Sequence, residues 1–291
     1  MKIYSLGSLN IDYVYTVDHF VSAGETLASK KMEFFPGGKG LNQSIALAKA
    51  GATVLHGAFI GDNGEFLLDT LSSAGVDISR IKNTNGSCGH AIIQVDKNGQ
   101  NCILLFAGTN HMLNKNYIEE FLSDANENDI ILLQNETNAL DIIFEIAKHK
   151  KLQIAFNPSP FNDKIKDLPL EQVKWWFCNE IEGACLFGSE NPEDIINSFI
   201  QKYPDSNLIL TLGKNGSIFK SATETVKQPI FNVKAVDTTA AGDTFTGYFL
   251  SSVVNGLTPV KALEIASKAS SIAVSRMGAA SSIPTLDEVT L

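Results

Sequence analysis

The feature that most constrains the fold is an alternation of short apolar runs with helical patterns along almost the whole chain. The runs that predict strands are Lys2–Gly7, Thr53–Ile60, Asp129–Leu133, Leu152–Phe156, Trp175–Cys178 and Asn207–Leu212. The segments that predict helices are Gly40–Ala50, Gly64–Ala74, Ala139–Lys148, Pro192–Gln201, Gly242–Val254 and Pro259–Met277. Because strands that alternate with helices form βαβ units, we expect an α/β fold whose mostly parallel sheet is covered on both faces.

Two stretches, Val14–Phe35 and Gly89–Phe106, break this alternation. In the second stretch, the apolar runs Ala91–Val95 and Cys102–Phe106 flank Asp96–Gly99, a turn sequence typical of a β-hairpin. We interpret both stretches as one small sheet that projects from the main domain. Such a sheet cannot bury both faces alone. It is expected to pack on a ligand, on the main domain or on a second copy of itself.

Composition excludes several classes of protein. The chain has 291 residues and 44% hydrophobic content, which is ample for a large core. A net charge of −9 disfavours a nucleic-acid partner, whose phosphates require a basic surface. The sequence has neither a basic run nor an apolar run of about 18 residues, so we expect no membrane association. The four cysteines lack metal or disulfide spacing, which favours free thiols and a cytoplasmic location.

The most informative segment is Asp237–Leu250, DTTAAGDTFTGYFL. A turn of small residues leads into Asp243 and then into a helical pattern in which Phe245, Phe249 and Val253 share one face. The start of a helix carries unpaired N–H groups and a partial positive charge, so it attracts anions. This segment therefore predicts an anion site at the start of a helix.

Asp243 lies at this predicted anion site, where its own negative charge would repel an anion. A carboxylate in that position suits a base that removes a proton while charge develops on a neighbouring phosphoryl group. A purely structural interpretation is that Asp243 caps the helix and Gly242 forms a turn. The segment alone does not separate the two interpretations.

Five further elements lie near the ends of predicted strands or the starts of helices. They are Gly7–Asp12, Pro36–Asn42, Gln134–Glu136, Asn179–Glu182 and Thr211–Gly216. Each has an ordinary structural interpretation, such as an Asx turn, a tight glycine turn or a helix N-cap. The glycine-rich Pro36–Asn42 fits neither the GxxxxGK[ST] nor the GxGxxG pattern, which disfavours a Walker-type NTPase and a dinucleotide dehydrogenase. Polar groups at strand ends are nevertheless well placed to bind a ligand in the crevice of an α/β sheet.

In chain order, GSLNID, PGGKGLNQ, NEIE, TLGKNG and DTTAAGDTFTG resemble the motifs of the PfkB carbohydrate kinase family. The similarity extends over essentially the whole chain and is greatest to the ribokinase branch of that family. It implies a ribokinase-like three-layer α/β fold over residues 1–291, with a projecting β-sheet lid formed by about 12–36 and 87–107. It also implies a homodimer that pairs through the lids.

The resemblance implies a role for each matching position. Asp243 would be the catalytic base, and the backbone of Ala240, Ala241, Gly242 and Asp243 would form the anion hole. The residues implied for the sugar are Asn10, Asp12, Gly38, Lys39, Asn42, Glu136 and Asp243. Those implied for ATP are Asn179, Thr211, Gly213, Gly216, Ser267 and Ser271. Asn179 and Glu182 would bind Mg²⁺ through water, and K⁺ would lie at Asp237, Thr239, Gly278 and Ser282.

The implied activity is transfer of the γ-phosphate of ATP to a primary hydroxyl of a small sugar, foremost D-ribose. Other kinases of the family, acting on deoxyribose, a ketohexose or a nucleoside, stay open as alternatives. A catalytically silent sugar-binding protein is a further alternative, which the intact Asp243 and NEIE disfavour.

Overall fold

Fourteen strands and nine α-helices make up a computed structural model of the protein, which describes residues 1–289; residues 290 and 291 of the predicted domain lie outside the described part. The strands are β1 Ile3–Leu6, β2 Asn10–Thr16, β3 Lys31–Gly37, β4 Val54–Gly57, β5 Phe59–Asp62, β6 Lys82–Ser87, β7 Gly89–Val95, β8 Asn101–Phe106, β9 Ile130–Gln134, β10 Gln153–Asn157, β11 Val173–Asn179, β12 Asn207–Thr211, β13 Ser217–Lys220 and β14 Thr225–Gln228. The helices are α1 Lys39–Lys49, α2 Glu65–Ser73, α3 Lys115–Phe121, α4 Leu140–Lys150, α5 Glu180–Phe187, α6 Pro192–Lys202, α7 Ala241–Val254, α8 Pro259–Val274 and α9 Leu286–Val289.

The central sheet has eight strands in the order β14-β13-β12-β11-β10-β9-β1-β4. The six strands from β12 to β4 are parallel, and β13 and β14 add an antiparallel edge. The carboxyl ends of the parallel strands therefore meet at one edge, where ligands bind in α/β proteins. The predicted α/β fold with a mostly parallel sheet is confirmed.

Two hydrophobic cores lie on opposite faces of this sheet, because successive side chains of a strand point to opposite sides. Ile3 belongs to the core shared with α1, α2, α7 and α8, whereas the next residue, Tyr4, belongs to the core shared with α3, α4 and α6. Both side chains are fully buried. The result is a three-layer arrangement of helices, sheet and helices.

A separate four-stranded sheet has the order β3-β2-β7-β8. Its β7 and β8 are antiparallel and meet at the predicted turn Asp96–Gly99. Asn10 and Asp12 lie within β2 of this sheet, rather than in a loop after β1. The predicted strand Thr53–Ile60 is wrong as one element, since the chain changes sheet near Gly57 and β5 pairs with β6. The predicted helix Pro259–Met277 ends at Val274, shortly before Gly278 takes a left-handed φ of 92°.

Helices α1 and α7 pack closely together, because Gly247 has no side chain. A Cβ on Gly247 would lie 2.8 Å from the backbone N of Leu47. This close approach brings the start of α1 against the start of α7, where the residues of the predicted site converge.

Candidate active site

Asp243 lies in the first turn of α7, and its side chain is buried. Asn42 Nδ2 donates to Asp243 Oδ2 at 3.1 Å, and Gln43 Nε2 donates to Oδ1 at 2.9 Å. Both donors are neutral amides, and within residues 1–289 no basic side chain forms an ion pair with this carboxylate. The carboxylate is therefore held in place without being neutralised, as a proton acceptor requires.

The turn before α7 presents backbone N–H groups to solvent. Ala240 has a left-handed φ of 58°, which is uncommon for a residue with a side chain and is typical of functional turns. No side chain in the described part of the protein caps this helix start. Since the first N–H groups of a helix have no partner within the helix, those of Gly242 and Asp243 are available to an anion. The backbone predicted as an anion hole thus lies beside the predicted base.

Glu136, which follows β9, connects the start of α1 to the end of β1. Its Oε2 accepts from Lys39 N at 2.9 Å and from the hydroxyl of Ser8. Ser8 Oγ in turn accepts from Gly40 N at 3.2 Å. Because both bonds use the same carboxylate oxygen, Oε1 stays available for a ligand. Burial raises the pKa of Glu136.

Asn10 and Asp12 approach the same region from the small sheet. Asn10 Oδ1 accepts from Asn110 Nδ2 at 2.7 Å. This bond uses only the oxygen of the Asn10 amide and leaves its Nδ2 group as a donor for a ligand. Burial, and then the charge of Glu136, raise the pKa of Asp12 from 3.8 to about 7. Two carboxyl groups that face the same space hold a cluster of acceptors for hydroxyl groups.

A cavity of about 240 Å³ lies in front of Asp243. Its lining includes the predicted residues Lys39, Asn179, Glu182, Thr211, Ala240, Ala241, Gly242 and Asp243. Burial would lower the pKa of Lys39, but the negative charges of Asp243, Glu136 and Glu182 outweigh it and raise this pKa. The ammonium group therefore stays charged. Asn10, Asp12, Gly38, Asn42 and Glu136 do not line this cavity. The bonds of Asn42 to Asp243 and of Glu136 to Lys39 N place these two residues next to it.

A second cavity, of about 620 Å³, adjoins the first through shared lining residues such as Thr211 and Gly242. It brings together the positions predicted for ATP: Asn179, Thr211, Gly213, Gly216, Ser267 and Ser271. Its apolar wall of Ile230, Phe231 and Val233 was not anticipated from the sequence, because no spacing pattern marks that loop. An apolar slot beside polar groups suits a flat aromatic base with a phosphate tail.

Asn179 and Glu182 form a capping box at the start of α5, which is the structural interpretation of this pair. Asn179 Oδ1 accepts from Glu182 N, and Glu182 Oε2 accepts from Asn179 N, each at 2.9 Å. The capping bonds engage one oxygen of each side chain. Glu182 also lines the smaller cavity, and the capping bonds do not use its Oε1, so capping and ligand binding are compatible.

Asp237 joins two loops next to the anion hole. Its Oδ1 accepts from the N and the hydroxyl of Thr239, and its Oδ2 accepts from Gly278 N at 3.0 Å. These bonds outweigh the effect of burial and lower the pKa of Asp237. Ser282 is fully buried and donates to Ala279 O, so it belongs to the same loop but does not bond to Asp237.

Two adjoining cavities lie at the strand ends, with a buried carboxylate beside free helix N–H groups. This arrangement suits the transfer of a phosphoryl group to an alcohol, the chemistry of one class of α/β phosphotransferases. The model of the pfkB family of carbohydrate kinases matches residues 1–286. The chain therefore belongs to the pfkB family of carbohydrate kinases.

Individual relatives agree with this assignment. A ribokinase of Staphylococcus aureus is 33% identical, covering 99% of the chain and 98% of that protein. A solved ribokinase of Thermotoga maritima matches with a TM-score of 0.87 at 35% identity, and the match covers 99% of this chain and 98% of the Thermotoga maritima chain. Arabidopsis thaliana ribokinase, solved with ribose and ATP, matches with a TM-score of 0.86 at 26% identity, covering 99% and 97%. A Salmonella typhi deoxyribokinase is 28% identical, covering 99% and 97%.

Proposed function

We propose that this protein is an ATP-dependent ribose kinase that transfers the γ-phosphate of ATP to O5 of D-ribose. The observation that carries this proposal is the Asp243 carboxylate, which neutral amides hold beside the free N–H groups of α7. The relatives identified as ribokinases support ribose as the sugar.

In the proposed reaction, Asp243 accepts the proton of the attacking hydroxyl as the bond to phosphorus forms. A sugar hydroxyl has a pKa far above neutral, so it needs a base only while the phosphoryl group is transferred. The N–H groups of Gly242 and Asp243 and the ammonium group of Lys39 would stabilise the negative charge on that group.

Asn10, Asp12, Gly38, Asn42 and Glu136 would bind the sugar hydroxyls, and the larger cavity would hold ATP. Within residues 1–289, no cluster of three metal-binding side chains occurs. That fits Mg²⁺ carried mainly by phosphate oxygens and water, with a single protein carboxylate. Asn179 and Glu182 would hold the Mg²⁺ ion beside the phosphates of ATP, whose negative charge it would neutralise. The adenine of ATP would lie against Ile230 and Phe231, with Ser267 and Ser271 nearby.

A panel of sugars and nucleosides tests the proposed activity. We expect ADP release with D-ribose, and ³¹P NMR should identify ribose 5-phosphate as the product. A higher kcat/KM for deoxyribose, which the Salmonella typhi relative makes the second candidate, would reassign the substrate. Binding of sugar without ADP release would instead indicate a catalytically silent protein.

Potassium should activate the enzyme by ordering the loops around Asp237. The oxygen-rich set of Asp237, Thr239, Gly278 and Ser282 suits a large monovalent cation, which would fix the turn that forms the anion hole. We expect kcat to fall about tenfold when tetramethylammonium replaces K⁺, less than the effect of deleting one oxyanion donor. Steady-state assays at constant ionic strength measure this, and equal rates in both cations would contradict it.

Asp12 should contribute a fall in the free energy of unfolding as the pH rises from about 4 to about 7, whereas buried His56, whose pKa is lowered from 6.5 to about 4, should contribute a rise over much of the same range. In that window the unfolded Asp12 has lost its proton, whereas the folded carboxyl keeps it because its pKa is raised to about 7. The fall attributable to Asp12 is at most about 4 kcal/mol. Chemical denaturation of the wild-type protein and of Asp12→Asn across this range measures it, because the difference between the two curves isolates the contribution of Asp12. Saturating ribose should reduce that contribution, by binding the ionised carboxylate. A slope unchanged in the variant would contradict the expectation.

The exposed face and edge of the small sheet support a homodimer that pairs through the lids. Ile103, Leu104, Leu105 and Phe106 of β8 are all exposed, Leu104 by 67%. An edge strand of this composition is expected to be covered by another chain. Leu104→Lys should convert a dimer into a monomer in sedimentation equilibrium, whereas Val260→Lys on α8 should not. A dimer that persists in Leu104→Lys would contradict pairing through this strand.

The proposed location is the cytoplasm. All four cysteines are free, and ATP is the proposed co-substrate. Within the described residues, no helix has the length and apolar character needed to cross a membrane.

A further inference from the structure

We infer that Gln43 is the positioning residue that holds the Asp243 carboxylate in its reactive orientation, an inference that rests on the proposed kinase reaction. The Gln43 side chain lies on α1 and is fully buried. Its Nε2 donates to Asp243 Oδ1 at 2.9 Å and to Asn157 Oδ1 at 3.2 Å. Gln43 does not line the cavity in front of Asp243, so it acts on the reaction through that carboxylate.

A chain of hydrogen bonds fixes which end of the Gln43 amide faces Asp243. The chain begins at the carbonyl oxygen of Phe177, which can only accept a hydrogen bond. Asn157 Nδ2 donates to that oxygen at 2.7 Å, so Asn157 Oδ1 must face Gln43. Because Asn157 Oδ1 and the carboxylate of Asp243 are both acceptors, Gln43 must present its NH₂ group to them.

A second anchor holds the opposite end of the same amide. Gln134 Nε2, at the end of β9, donates to Gln43 Oε1 at 2.7 Å. Gln134 is fully buried and Asn157 ends β10, so neighbouring strands of the central sheet fix the amide from two directions. The central sheet, and not only helix α7, therefore fixes the orientation of the Asp243 carboxylate.

This arrangement leaves a free acceptor on the carboxylate. A carboxylate offers about four lone-pair directions, and Gln43 and Asn42 use one on each oxygen. Rotation of the carboxylate about its bond to Cβ would break both bonds. The remaining lone pairs therefore keep a fixed direction relative to the anion hole, which phosphoryl transfer requires for alignment.

The test compares Gln43→Leu with the wild-type enzyme in the full-length protein. Leucine has a similar size but no donor, so we expect kcat to fall between about tenfold and about 100-fold, as for a small misplacement of a reacting group. The KM values for ribose and ATP should stay within about threefold, since Gln43 contacts neither cavity. In an Asp243→Asn background, Gln43→Leu should cause no further loss of kcat.

A double variant separates positioning from stability. Gln43→Leu takes away the partner of Gln134 Nε2 and the donor to Asn157 and Asp243. Adding Gln134→Leu removes the unpaired Gln134 group. The double variant should recover part of the lost stability in urea unfolding while kcat stays low. If kcat instead recovers together with stability, Gln43 has only a structural role and the inference is overturned. Should Gln43→Leu fail to fold, Gln134→Leu alone should still lower kcat with unchanged KM values.

A spectroscopic measurement keeps this inference distinct from the proposed function. The ¹⁵N-labelled side-chain amide of Gln43, identified by its absence in Gln43→Leu, should shift in both Asp243→Asn and Gln134→Leu. If the wild-type protein phosphorylates no sugar, the proposed function fails even where these shifts occur. If the enzyme phosphorylates ribose but the Gln43 resonances do not shift in Asp243→Asn, the positioning role is overturned and the proposed function stands.

Discussion

Asp243→Asn should lower kcat by a factor between about 10² and about 10⁴ while leaving the binding of sugar and ATP intact. The size of this loss is the usual contribution of a general base. An amide cannot take the proton of the sugar hydroxyl, whereas the shape of the site is conserved. Single-turnover kinetics give the rate of the chemical step, and calorimetry gives the dissociation constants of ribose and of a non-hydrolysable ATP analogue.

The structure explains why this variant should stay folded. The new side-chain NH₂ group would face an amide donor, which would be unfavourable if nothing moved. Within the described structure, Asn42 Oδ1 is buried without a partner, so a flip of the Asn42 amide would let it accept from the new group. Asn42→Ala serves as a comparison, because it removes one donor to the carboxylate but keeps the carboxylate itself, so it should lower kcat less than Asp243→Asn does. Near-wild-type turnover in Asp243→Asn would remove Asp243 from the role of base.

The architecture was predictable from periodicity, since strand and helix patterns are local properties of the sequence. All six predicted helices and five of the six predicted strands lie close to observed elements, and the exception, Thr53–Ile60, hid a change of sheet. The antiparallel edge formed by β13 and β14 was not predicted. Each of these strands has only four residues, which is too short for an alternation of polar and apolar residues to be recognised in the sequence.

The positions of the site were predictable from motifs, but the partners of those residues were not. Gln43 and Asp243 are 200 positions apart, Ser8 and Glu136 are 128 apart, and Leu9 and Asn110 are 101 apart. Such pairs exist only once the sheet brings strand ends together, and a single sequence records no pairing. Asn179 and Glu182 show the converse difficulty, because one spacing serves both as a cap and as a candidate ligand pair.

Gly40→Ala should disrupt the sugar site and destabilise the fold by about 3 kcal/mol or more, at the upper end of the cost of overpacking. A Cβ at this position would lie 2.5 Å from Gly7 Cα and would also overlap the backbone of Ser8. Backbone atoms cannot move aside as a flexible side chain can, so the start of α1 must shift away from β1. That shift would stretch the bonds from Gly40 N and Leu41 N to Ser8.

The shift of α1 should also displace Glu136, a proposed acceptor for the sugar hydroxyls, because Lys39 N and Ser8 hold its carboxylate. We expect the KM for ribose to rise by more than about tenfold, well beyond any change in the KM for ATP. Gly183→Ala is a matched control: it adds the same methyl group to a helix, but the group meets only the side chains of Ile195 and Leu210, at 3.1 Å or more. Urea unfolding and steady-state kinetics on both variants measure the two effects. Equal stability and equal ribose KM in the two variants would show that α1 can move without cost, and the account of how Ser8, Lys39 and Glu136 shape the site would then fail.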